Sequence, residues 1–107
     1  MPIIAQLTIT GQNQWTTPVH LLGWFNASVS NTAGGSLGGT RVTAQRSWDY
    51  SPDNPGAATW YDVDYWVRTA EDVGFEPDLV WYTIGVKTGE YVATCKVAFS
   101  LMGSMRS

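Results

Sequence analysis

Gly39-Thr-Arg-Val-Thr-Ala-Gln-Arg-Ser-Trp-Asp49 and, after a loop, Thr59-Trp-Tyr-Asp-Val63 decide the fold of this chain. Both stretches have strand character and carry exposed aromatic and polar groups. Read as two paired strands, they make the surface of a β-module built for binding or assembly rather than a catalytic site. A second landmark, Trp81-Tyr-Thr-Ile-Gly-Val-Lys-Thr-Gly-Glu90, runs as a strand into a glycine-containing turn and on toward another strand over residues 91–101.

Working outward, period-2 alternation recurs and helical periodicity does not. Ile3, Ala5, Leu7 and Ile9 alternate with more polar neighbours, and Val19, Leu21, Phe25, Ala27 and Val29 share one phase of a longer strand. Each strand therefore has one face for a core. Residues 11–14 and 16–18 punctuate the first connection, and residues 31–39, with four glycines, form the second. The strand over 41–48 is followed by Ser51-Pro-Asp-Asn-Pro-Gly56, where two prolines exclude regular pairing; a fourth strand then spans 59–68. The segment 69–78, broken by Gly74 and Pro77, is too interrupted for a helix and is expected to be an ordered loop. Residues 79–87 and 91–101 predict a hairpin about Thr88-Gly89. Roughly six to eight short antiparallel strands give an all-β fold, a β-sandwich or small barrel. The expected organisation is a single domain over residues 1–107, with an N-terminal arm over 1–18 able to engage a neighbouring subunit. The tail 103–107 is polar, and both termini are expected to be clamped by neighbours.

At 107 residues, one domain buries about 60–70% of the surface its unfolded chain exposes, enough for a core without disulfides or metal. Six Trp, five Tyr and three Phe are more rings than one small core can hide, so some are expected to meet a partner. Nine acidic against six basic side chains give a net charge of −3 with no basic cluster, which excludes a nucleic-acid footprint. Cys95 is alone and points to manufacture in a reducing compartment. No signal-peptide pattern opens the chain, and its apolar runs fall short of the ~20 residues needed to span a bilayer. The expectation is a soluble protein made in the cytoplasm, with no membrane partner and no cofactor.

Candidate chemistry is thin. Asp62 and Asp64, two apart on a strand, share a face as a glycosidase pair would, but nothing nearby marks either as desolvated and a solvated strand face is the better reading. Asp49, Asp53 and Asn54 could join them around calcium, but the spacing of a calcium loop is missing. His20 lies out of phase with the apolar residues of its strand and reads as a surface or interface side chain. Cys95 shares a phase with Tyr91, Ala93, Val97, Phe99 and Leu101, the pattern of a buried inert thiol. Glycines 34, 35, 38 and 39 are not followed by the Lys-Ser/Thr of a phosphate loop. No catalytic, cofactor or metal residue is assigned, and the chain is not expected to be an enzyme.

The aromatics divide by strand phase. Trp60 and Trp66 lie with Asp62 and Asp64 on one face of the fourth strand, and Tyr61, Val63 and Tyr65 on the other. Trp15, Trp24 and Trp48 fall out of phase with apolar neighbours or beside loops. With Tyr50 and Trp60 they form the predicted interface set.

The segments Gly23-Trp-Phe-Asn-Ala-Ser-Val-Ser30, Gly39 to Asp49, Thr59 to Val63 and Ile84-Gly-Val-Lys-Thr-Gly-Glu-Tyr91, in that order, resemble a family of small tailed-phage virion proteins. The resemblance covers roughly residues 23–101. It implies a β-sandwich structural component of the particle without enzymatic activity: a capsid decoration or cement protein that binds the major capsid protein and self-associates, a trimer being one arrangement. The alternative it leaves is a tail, head-tail adaptor or fibre module that binds another virion protein or a host glycan. The chain departs from the family pattern over residues 50–58, where relatives make a tight Asp-Gly turn, and at Cys95, where a small residue is usual.

Overall fold

The computed structural model describes residues 3–31 and 37–101. The polar tail, the terminal residues expected to be clamped and the middle of the 31–39 loop lie outside the described residues. Among the described residues the fold is almost wholly antiparallel β: β1 (Ile3–Ile9), β2 (Gln14–Trp15), β3 (Val19–Asn31), β4 (Val42–Ser47), β5 (Tyr61–Trp66), β6 (Ala70–Val86) and β7 (Cys95–Leu101), with one 3-10 turn at Pro55–Ala57. All seven strands belong to one sheet of order β1-β7-β3-β6-β4-β5, and β2 adds to β6. The all-β antiparallel expectation therefore holds.

The predicted alternation places the core. Leu21, Phe25, Ala27 and Val29 of β3, Val80, Tyr82, Ile84 and Val86 of β6, and Cys95, Val97 and Phe99 of β7 are buried on the inner face. Ile9 from one end of the sheet joins Val42, Ala44 and Trp66 from the other in the same cluster. A flat sheet could not bring its two ends into one core, so this one curls over its inner face, as its right-handed twist favours. Phe25, Tyr82 and Phe99 meet at its centre, with ring centroids 5.2 to 6.2 Å apart in tilted or edge-on arrangements.

Two expectations are corrected. Residues 69–78 are not an ordered loop: from Ala70 onward they are the first half of the 17-residue β6, paired with β3 from Val29↔Ala70 to Gly23↔Glu76. Both apparent breakers have a structural place. Pairing resumes at Leu21↔Val80, leaving Pro77, Asp78 and Leu79 in a bulge where proline's missing N–H removes no ladder bond. Gly74 lies under the Phe25 ring, and a Cβ there would come within 2.5 Å of it. Nor do the last two strands form a hairpin, because β3 lies between β6 and β7. The turn itself exists, with Gly89 at φ 82° and the Glu90 N–H donating to the Lys87 carbonyl at 3.1 Å. The chain then crosses over, held by the buried Thr40, whose Oγ1 accepts from the N–H groups of Val92 and Ala93 at 2.9 and 2.8 Å. β1, the strand within the predicted N-terminal arm, pairs with β7 of its own sheet.

Candidate interaction surface

Directly opposed residues in an antiparallel pair share a face. Since Leu21, Tyr82, Ile84 and Ala44 point inward, their neighbours His20, Trp81, Thr83 and Gln45 occupy the outer face. Three of the five predicted aromatics gather there. Trp15, Tyr50 and Trp60 line a cleft of about 300 Å³ with Pro18 and Pro55, floored by Gln45 and Thr83.

One wall of this cleft is β2, which can approach because residue 85 is glycine: a Cβ there would fall 2.6 Å from the Trp15 ring. Behind it the Thr83 hydroxyl donates to the Thr16 carbonyl at 2.7 Å, and the Ile84 N–H donates to Thr16 Oγ1 at 3.1 Å. The other wall is the 50–60 loop. Asp49 ties it at the base, accepting from the Thr59 N–H and from Ser47 Oγ, both at 2.8 Å. Those bonds, the Thr59 amide foremost, hold the Asp49 carboxyl below its usual range. The Tyr50 ring stands 5.6 Å from Trp60 and 4.7 Å from Trp81, and Trp81 lies 3.5 Å from the His20 ring. A continuous run of rings thus leads from the loop onto the sheet.

The other two predicted residues go elsewhere. Trp24 pairs across strands with Phe75 at 4.9 Å, on the same outer face but beyond the β6 bulge, where Leu22, Val73 and Leu79 are also exposed. Trp48 sits at the rim, 4.6 Å from the Arg46 guanidinium. Arg46 pairs with the buried Glu76 at 2.9 Å, and Glu76 also accepts from the Tyr82 hydroxyl. Burial, and then the Glu76 carboxylate, push the Tyr82 phenol far above its usual range. The prediction omitted Trp81. Its phase was legible, but its neighbours Tyr50 and His20 come from other elements.

The catalytic candidates are not assembled. Asp62 accepts from Lys87 Nζ and, at 2.8 Å, from Gln45 Nε2, and these partners lower its pKa. Asp64 accepts from the Tyr65 N–H at 2.8 Å. Cys95 is fully buried on the inner face, where desolvation pushes its thiol up, while His20 is exposed on the outer face. Among the described residues no three His, Cys, Asp or Glu side chains converge as metal ligands, and no helix is long and apolar enough to cross a membrane. No family model, curated protein or solved structure matches the chain.

Proposed function

We propose that this chain is a structural protein of a tailed-phage particle, most specifically a capsid decoration or cement protein that docks through its outer face on the major capsid protein. The observation that carries the reading is the outer face itself. It displays the Trp60, Tyr50, Trp81 and His20 rings in succession and, beyond the bulge, Trp24 against Phe75. Rings presented by a sheet lose little conformational entropy on contact and bring large area, which is what a docking surface needs. The resemblance of its ordered sequence motifs to small virion proteins is what points to a particle.

The mechanism is additive contact. Each copy buries on the order of 1,000 Å² against the shell, and repetition over a symmetric lattice multiplies a modest affinity. Self-association on the particle surface adds to the same effect. Quantitative mass spectrometry of purified particles tests the proposal. A copy number near that of the major capsid protein is expected. A ratio of a few per cent would replace decoration by a tail or connector role, and absence from particles would overturn a virion role altogether.

A further inference from the structure

A sheet recruits partners at its edge strands, where a row of backbone N–H and C=O groups is left unpaired. Among the described residues this fold has such edges at β1, at β5 and along the first half of β6, which only β3 pairs. They are not equivalent. The pairing of β5 with β4 jumps from Ala44↔Asp64 to Gln45↔Asp62 and leaves Val63 in a bulge. Asp62 and Asp64 set two carboxylates on the same strand, and the Tyr65 N–H already donates to Asp64 at 2.8 Å. Bulges and charges are the devices that keep an edge from pairing. The free edge of β6 carries Glu71 and Asp72, and Trp66 reaches over to donate to Asp72.

β1 has none of these defences from Ala5 to Ile9, its one irregularity falling between Ile3 and Ala5. The charge distribution isolates it further. All nine carboxylates lie from Asp49 to Glu90, residues 1–40 hold no Asp, Glu, Lys or Arg, and β7 beside β1 holds a single charge, Lys96. Two copies meeting at their β5 or β6 edges would oppose carboxylate to carboxylate, whereas two β1 edges meet without repulsion.

The stretch is also complementary to itself. Ala5, Leu7 and Ile9 lie opposite the inward Phe99, Val97 and Cys95, which puts Gln6 and Thr8 on the outer face. A second copy turned about a two-fold axis through Leu7 sets Ile9 against Ala5, Leu7 against its counterpart and Gln6 against Thr8. Apolar then meets apolar on the inner face and amide meets hydroxyl on the outer.

We propose that two copies of this chain join through β1, antiparallel and in the register centred on Leu7, as a two-fold dimer with one continuous sheet. Opposed residues share a face, so the axis stands perpendicular to the paired strands and the outer faces of both copies look the same way. The dimer thus offers two docking faces to one surface. The inference deepens the proposed function, naming the contact behind its self-association, and rests on that reading for the role of the outer face.

Sedimentation velocity of the full chain from micromolar to millimolar concentration tests it. A reversible monomer–dimer equilibrium is expected. Gln6→Lys with Thr8→Lys places like charges opposite each other on both sides of the axis and weakens the dimer about ten-fold, although two added lysines bring the net charge from −3 closer to zero. Gln6→Glu with Thr8→Lys, which opposes the same lysine with a carboxylate, restores it. Tyr61→Lys, on the exposed β5, leaves it unchanged. A monomer at every concentration, a trimer or larger ring, or equal weakening by both β1 variants would each overturn the inference. A dimer absent from particles would sink the virion reading alone, and a particle protein that stays monomeric here would sink this inference alone.

Discussion

The two halves of β6 are one continuous strand with opposite fates. From Val80 to Val86 it runs between β3 and β2 on one side and β4 on the other, and its side chains are buried apart from the half-exposed Trp81. From Ala70 to Glu76 it is paired, among the described residues, with β3 alone, and Val73 and Phe75 are 57% and 51% exposed. Composition and phase separate the halves: residues 70–76 carry Glu71, Asp72 and Glu76 while residues 80–86 carry no charge, and Val73 and Phe75 lie on the outer face where Val80 and Ile84 point inward. Coverage adds to this. β4 adds to the second half only, and the curl of the sheet puts that half's inward residues over the core. Among the described residues the first half keeps an unpaired edge and an uncovered outer face, so Phe75 and its cross-strand neighbour Trp24 are left for contact.

Substitutions can break this contrast. The largest effect is expected at Ile84: Ile84→Ala deletes fully buried volume and should lower unfolding free energy by about 2–5 kcal/mol. The equally apolar Val73→Ala should stay within about 0.5 kcal/mol, and urea titration of the pair reads the difference. Gly74 is the exception inside the exposed half. Because a Cβ would enter the Phe25 ring, Gly74→Ala should cost about 1–3 kcal/mol by forcing that core ring to move, measured the same way.

The boundary between the halves carries the Glu76, Arg46 and Tyr82 cluster. Burial and Glu76 raise the folded-state pKa of Tyr82 above its ordinary 10.0. This contribution to stability is present below pH 10 and is lost as pH rises above it, because the unfolded phenol ionises first. Tyr82 should titrate above the ordinary phenol range by phenolate absorbance, and Glu76→Gln should bring its midpoint down. The smallest effect is acidic and lies outside β6. Hydrogen bonds depress the pKa values of Asp49 and Asp62, so what these exposed groups contribute is present above the ordinary carboxylate value of 3.8 and fades as pH falls through their lower folded values. Asp49→Asn and Asp62→Asn should each flatten the acid limb of a Tm-against-pH curve.

The same contrast explains what was legible. The well-covered half of β6, the strands at 3–9, 19–31, 42–47 and 61–66, and the turn at Gly89 follow from alternation and turn chemistry, which are local. The exposed half does not, because its glycine and proline count as breakers until the Phe25 ring and the bulge between the Leu21 and Gly23 pairs give them a place. The candidate surface divides in the same way. Trp15, Tyr50 and Trp60 could be picked as surface candidates from their position beside loops, and each proves half-buried. Their convergence required Gly85 to admit β2 and Asp49 to fold the loop back.

By itself, then, the sequence determined that this is an antiparallel β domain with surplus rings and an inward-facing Cys95, because side-chain alternation has a period of two and needs no knowledge of the neighbouring strand. Only the tertiary structure decided that β3 separates β6 from β7, that three of the five chosen aromatics share one cleft, and that Trp24 and Trp48 do not. Strand order and side-chain convergence depend on contacts between residues far apart in the chain, and those contacts exist only once the sheet has curled.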